Sequence, residues 1–378
     1  MAMDNLKASF ICLENYQLKT CLFCLTMFPE NAVIKKRTLI YWWIGEGLVN
    51  KMKNKTAEEV GEQVFQELIN EGFIKPISKN NSPSINSCKL RKLNSSASIR
   101  IGHLVMAHDE HILYSGTVGS NGTNVGDKEE ELKTVFNINE QYLEFKVDWL
   151  PKLKSVEVLQ LGRWQNSIKH HIEIENKEPL NGLGSQKQLK YLSLRGISRI
   201  DTLPSSIVKL DSLTILDLRA CHNLEKLPTG LWMLRHLTHL DVSECYLLES
   251  IPKGVQHLSS LQVLKGFVIG NLGKNPCKIS DLERLKNLRK LSIRVGVPEW
   301  LWPSKLQTLK KLYIRGGQLE SLNHEEENQH WKIKNLRLKY LKCLKIEKNE
   351  LLEKFPELLY LERVSCHKNY PDIIIPTK

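Results

Sequence analysis

The stretch 213–228, LTILDLRACHNLEKLP, decides how the second half of this chain folds. Leu213, Leu216 and Leu218 follow an L-x-x-L-x-L spacing, Cys221 comes next in phase, and Leu227-Pro228 closes the segment. The same landmarks recur every 24 residues: Leu189, Leu213, Leu237 and Leu261 each open such a run. The neighbouring copies read Leu189/Leu192/Leu194, Leu237/Leu240/Val242 and a weaker Leu261/Leu264/Gly266. Leu203-Pro204, Leu227-Pro228 and Ile251-Pro252 keep the same period. Apolar residues two apart lie on one face of a strand, and the residues between them point the other way. A unit of this length cannot bury its apolar side alone, so a fixed period with two phased landmarks means units stacked along an axis.

This is the pattern of a leucine-rich-repeat solenoid, a horseshoe with a parallel concave sheet, so the fold class is α/β. Irregular copies read at Val156/Leu159/Leu161, Leu288/Leu291/Ile293, Leu309/Leu312/Ile314, Leu341/Leu344/Ile346 and Leu361/Val364, about eight repeats in all. The outward residues line up in columns on the concave sheet. They nominate Tyr191, Arg195, Asp217, Arg219, His239, Asp241, Lys290, Arg294, Lys311, Tyr313, Arg315 and Lys345 as partner-binding residues. The early columns are mixed in charge and the late ones basic, which fits docking of an acidic protein surface. Cys221 and Cys245, equivalent positions just past the strand, read as a buried structural ladder.

Upstream, Leu18, Cys21, Leu22 and Leu25 have helical spacing, as do Leu39, Ile40, Trp43 and Ile44. Thr56 and Glu59 form a capping box before a third helix whose buried face is Val60, Val64, Phe65, Leu68 and Ile69. Phe73–Ile77 and Ser87–Leu90 read as two short strands around a polar loop. Three helices followed by a hairpin is a winged-helix pattern. The expected organisation is a winged helix over 1–92, an irregular linker over 93–140 and the repeats over 141–378.

The 378 residues are 41% apolar and 25% charged, which excludes a mostly disordered chain, and carry a net charge of +12. Nine cysteines, an odd number with no framework spacing, read as reduced thiols in a cytoplasmic setting. No apolar run is long enough to span a membrane. Cys21-x-x-Cys24 lacks a second pair, and Gly122–Lys128 misses the phosphate-loop spacing. His108/His111 and His170-His171 have no ligand set around them. No catalytic, cofactor-binding or metal-binding residue is therefore assigned. The third helix carries Glu58, Glu59, Glu62 and Glu67, an acidic face that phosphate would repel, so nucleic acid is disfavoured as a partner.

The segment Leu18–Val49 resembles the winged helix of plant coiled-coil-type NB-ARC leucine-rich-repeat disease resistance proteins, of the RPP13-like kind. The motifs are Leu18-Lys19-Thr20-Cys21, Phe28-Pro29-Glu30-Asn31, Ile34, and Trp43-Ile44-Gly45-Glu46-Gly47. The repeats, clearest over Leu213–Pro228, are similar to the intracellular plant form. In that family a coiled coil and a nucleotide-binding domain precede this segment, so the chain is expected to be the C-terminal part alone. A His-Asp pair normally closes the winged helix. Here Cys88-Lys89-Leu90 runs into Arg91-Lys92, so no residue is assigned to nucleotide sensing.

The resemblance implies a plant-defence recognition protein whose repeats bind a pathogen effector or a host protein. Partners would be an effector, a kinase-like host protein or a full-length resistance protein, with no small-molecule substrate. The alternatives are a general repeat scaffold for signalling proteins, or a relic without present function. Because these helices normally pack on the domains that precede them in the family, Leu22, Leu25, Trp42 and Trp43 are expected to form an exposed apolar patch if the chain is monomeric.

Overall fold

The computed structural model describes residues 15–25, 27–29, 31–77, 85–91, 104–106, 112–116, 132–137, 141–145, 149–165, 172–269, 276–295, 306–317, 319–322, 330–367 and 372–376. They belong to two compact units, 1–176 with 185–195, and 177–184 with 196–378.

In the first unit the helices are α1 (Tyr16–Leu25), α2 (Lys36–Gly45) and α3 (Ala57–Asn70). Thr56 caps α3 as read from the sequence: its hydroxyl accepts from Glu59 N at 3.2 Å while its own N–H donates to Glu59 Oε2 at 2.8 Å. The apolar face of α3 is Val60, Val64, Phe65 and Leu68, with Ile69 half-buried. The hairpin β2 (Ile74–Ile77) and β3 (Ser87–Leu90) gains a third strand not foreseen, β1 (Ile34–Lys35), antiparallel to β3.

The stretch expected to be irregular is partly sheet. It holds β4 (Leu104–Met106), β5 (Ile112–Gly116) and β6 (Leu132–Asn137), paired antiparallel in that order. A short pair, β7 (Tyr142–Leu143) with β9 (Ile172–Ile174), lies apart from this ladder. Strand β6 then runs parallel to β8 (Val158–Gln160), and β8 to β10 (Tyr191–Ser193). Parallel pairing aligns Thr134, Val158 and Tyr191 in one column and Phe136, Gln160 and Ser193 in the next.

Helix α2 packs onto this small sheet. A Cβ added at Gly45 would come within 2.7 Å of Tyr191 Cβ and Val158 Cγ2, so only glycine allows this approach. Trp42 lies against Phe136 with ring centroids 4.5 Å apart, and Phe28 meets Phe136 and Trp164 edge-on at 5.6 and 4.8 Å. The opposite side of α2 meets α3, where a Cβ at Gly61 would lie 2.8 Å from Ile40. A helix gripped on both sides is buried nearly all round. Leu22, Leu25, Trp42 and Trp43 are all at most 1% exposed. The expected apolar patch is thus absent: these side chains are buried within the first unit, where Trp42 packs against Phe136. Glu46 follows α2 directly and accepts from Trp42 Nε1 at 2.6 Å and Thr134 Oγ1 at 2.5 Å. Loss of hydration pushes its carboxyl above the usual carboxylate range, against the lowering effect of those two donors.

In the second unit, after the short strand β11 (Ile197–Ser198), seven strands run parallel. They are β12 (Ile215–Asp217), β13 (His239–Asp241), β14 (Val263–Ile269), β15 (Lys290–Val295), β16 (Lys311–Arg315), β17 (Asn335–Lys339) and β18 (Tyr360–Val364). Antiparallel β19 (Ile373–Pro376) pairs with β18. The leucines of each strand are buried, and Cys245 Sγ donates to Leu218 O at 3.0 Å, the expected ladder contact.

Three phase errors are corrected, one of them in β18, where Leu361 takes the second core position after Leu358 and Arg363, not Val364, faces inward. The weak third position Gly266 is a bulge with φ +81°, after which Phe267 takes the core position and pairs with Ile293. A Cβ there would lie 2.6 Å from Ser243 N, so glycine is required. The run Leu341/Leu344/Ile346 is not a strand. The strand is β17, with Leu336 and Leu338 inward, and Leu341 follows it at the spacing by which Cys221 follows Leu218.

Arg294, expected to be a free concave charge, reaches back across the sheet instead. Its Nη1 and Nη2 donate to Cys245 O and Leu248 O at 2.8 and 2.9 Å, tying the turn after β13 in place.

Three outcomes follow from this packing. Gly45→Ala costs about 1–3 kcal/mol in urea unfolding through overpacking, and raises binding of a hydrophobic dye as α2 is pushed from the sheet. Glu46, raised in the folded state, favours folding when protonated, so its contribution is complete below its unfolded value and is lost as pH rises through the folded one. Glu46→Gln is therefore increasingly more stable than the parent as pH climbs from 4 to 7. Arg294→Met loses about 1–3 kcal/mol by the same unfolding assay, because two partly buried carbonyls lose their donor.

Candidate functional site

The strand columns sort the candidate residues into three groups. Tyr191, Arg195, Asp217, His239 and Asp241 are buried, each at most 4% exposed. Tyr191 lies under Gly45 and donates its hydroxyl to Gln160 Oε1. Asp217 and Asp241 fold back on their own chain, accepting from Arg219 N at 3.0 Å and Ser243 N at 3.1 Å. These turns fasten the chain as it leaves each strand. Lys265 Nζ lies 3.5 Å from the second oxygen of Asp241. His239 Nδ1 is 2.7 Å from Thr238 Oγ1. These five are scaffold, not contact surface.

A second group is committed to neighbours. Arg219 is paired with Glu244 at 2.5 Å, and Arg294 forms the clamp already described. Lys345 leaves the face altogether, because its repeat was read out of phase: it follows β17, and its N–H donates to Glu320 O at 3.0 Å.

The third group is open. Lys311 and Arg315 are exposed on β16, with Tyr313 half-buried between them. Lys290 is half-buried on β15 in the same column as Lys311. Correcting the phase adds Arg337 and Lys339, which stand opposite Tyr313 and Arg315. The spacing Ile333-x-x-Leu336-x-Leu338 was the signal, masked by the stronger leucine run that follows.

The outward positions of β16–β18 hold four cations, Lys311, Arg315, Arg337 and Lys339, and one carboxylate, Glu362, which shares its column with Arg337 and Tyr313. Arg337 Nε lies 3.0 Å from Glu362 Oε2, and Lys339 pairs with its other oxygen. Aromatic rings hold the guanidinium groups in place: Arg315 lies 5.2 Å from the Tyr340 ring and Arg337 5.4 Å from Tyr360. Tyr340 is itself 46% exposed. Burial pushes the Tyr313 phenol up, so it serves as a neutral hydroxyl here. The face is basic, aromatic and preorganised, suited to an acidic protein surface.

The motifs set aside for chemistry fare as follows. Burial first, then the nearby Glu46, holds the thiols of Cys21 and Cys24 well above their ordinary range. Gly122–Lys128, His108, His111, His170 and His171 lie outside the described residues. Among the described residues no cluster of three His, Cys, Asp or Glu could hold a metal ion, and no helix is long and apolar enough to cross a membrane.

Comparison with known proteins agrees with this architecture. A leucine-rich repeat region matches residues 140–366, and the winged helix domain of disease resistance proteins matches 27–94. Disease resistance RPP13-like protein 4 of Arabidopsis thaliana is 26% identical, over 97% of this chain and 50% of its own length. Disease resistance protein RGA5 of Oryza sativa subsp. japonica is 35% identical over 75 residues, 20% of this chain and 7% of its own length. The chain spans half or less of the length of these curated relatives. Among solved structures, the plant peptide hormone receptor RGFR1 in complex with RGF2 aligns with a TM-score of 0.42 at 18% identity, over 62% of this chain and 36% of that one. The chain belongs to the leucine-rich-repeat family of disease resistance proteins, with the disease-resistance winged helix ahead of its repeats.

Proposed function

We propose that this chain is a cytoplasmic recognition protein of plant defence, binding a pathogen effector or a host protein it modifies through the concave face of β15–β18. The observation that carries the reading is the excess of cations on an open face: Lys311 and Arg315 exposed on β16, beside Arg337 and Lys339, which share the one carboxylate Glu362. Such a face steers an acidic partner and fixes its register, while the half-buried Tyr313 and exposed Tyr340 supply contact area. The work is recognition, since the exposed side chains of this face are cations and aromatic rings suited to contact with a protein surface. The partner is a protein: an effector, a kinase-like host protein or a full-length resistance protein.

The test is a pull-down of the tagged chain from infected leaf tissue, read by mass spectrometry beside Lys311→Glu/Arg315→Glu. Both side chains are exposed, so the double variant keeps its unfolding free energy within about 1 kcal/mol of the parent, the loss of the Arg315–Tyr340 contact included. A protein partner retained by the parent and lost by the variant is expected. Equal capture by both would contradict the assignment of this face.

A further inference from the structure

The convex side of the second unit carries a site that the concave reading does not use. Two successive turns, Leu231–Met233 and Val255–His257, sit one repeat apart and border a groove of about 690 Å3, open to solvent. It is lined by Trp232, Arg235, Lys253, Gly254, Gln256, His257 and Ser259. At 41% exposed, Trp232 presents a large apolar ring to water, and Met233 beside it is 45% exposed.

The groove is built, not incidental. Gly254 has φ +113°, and a Cβ there would lie 2.8 Å from Trp232 Cδ1, so the ring packs directly on backbone. Gly254 N donates to Gln256 Oε1 at 2.6 Å, and this Gln256 is only 6% exposed. The regular repeat sets Gly230 at the position of Gly254 and Trp232 at that of Gln256. A large side chain from one repeat therefore covers a glycine in the next.

The charge is one-sided. Arg235 and Lys253 are exposed cations with no carboxylate at ion-pair distance among the described residues, and His257 adjoins them. None of the lining residues is acidic. Two exposed cations lining the groove with an exposed indole match a ligand that brings negative charge and an apolar side chain together. An open groove admits an extended chain and does not enclose a small molecule. We propose that this convex groove binds an acidic peptide segment bearing aromatic residues, with Trp232 taking the ring and Arg235 and Lys253 the carboxylates.

The probe is a fluorescein-labelled peptide of alternating Glu and Phe, titrated against the full chain at low salt and read by anisotropy. Trp232→Ala and Arg235→Glu/Lys253→Glu each weaken binding at least tenfold, while Lys311→Glu/Arg315→Glu leaves it unchanged. Arg235→Gln/Lys253→Gln, which removes charge without reversing it, weakens binding as well and guards against a folding defect in the Glu pair. Three results would overturn the proposal. The first is binding that survives all groove variants, and the second is binding lost only in the concave variant. The third is an all-Glu peptide, inorganic phosphate or a short RNA competing as well as unlabelled Glu–Phe peptide.

Discussion

No repeat of this chain can bury its own leucines. Each strand presents two or three apolar side chains to one side, and only the next strand in the stack removes them from water. Everything else is arranged around that dependence. Parallel strands one repeat apart place like residues in columns, so a single substitution alters a row, and a row is what a partner meets. The same demand explains the edges. Antiparallel β19 pairs the outer side of β18, and in the first unit the antiparallel β5 and β4 flank β6.

The early columns show what the stack does with its outward face. In the first unit that face is not left for a ligand. Helix α2 lies on it, held by the missing Cβ of Gly45 and by Trp42 against Phe136. In the second unit, Asp217 and Asp241 turn back to cap their own strands, and Arg219 and Arg294 bind neighbouring groups. The outward face becomes open where the residues are long and cationic and the scaffold makes fewer demands on them, at Lys311 and Arg315. Among the described residues, the open columns are those that the scaffold's own contacts do not consume.

The fold was largely legible because its signal is periodic. Leu189, Leu213, Leu237 and Leu261 set a phase that local irregularities cannot hide, and Thr56 with Glu59 marks the start of α3 by chemistry alone. The errors fall where period gives way to local geometry. Gly266 looks like a failed leucine, yet it is a bulge that hands the core position to Phe267. Leu341/Leu344/Ile346 outscored the true strand because the turn after β17 also buries leucines. The site was less legible. Column membership can be counted, but whether an outward side chain meets water depends on contacts distant in sequence. Nothing near Tyr191 reveals that Gly45 covers it, and nothing near Arg294 reveals that it reaches Cys245 and Leu248. The apolar residues Trp42 and Trp43 appeared unpartnered for the same reason.

Among the described residues the early outward positions are covered and the late ones, on β16, are exposed. Hydroxyl-radical footprinting of the intact chain in dilute solution, read by mass spectrometry residue by residue, addresses this contrast directly. Tyr340 and Lys311 are expected to label readily, while Tyr191, Trp42 and Phe136 stay protected to the level of the buried Phe267. Labelling of Tyr191 and Trp42 at the rate of Tyr340 would mean that α2 does not rest on the β6–β8–β10 sheet of the first unit, and would contradict the account.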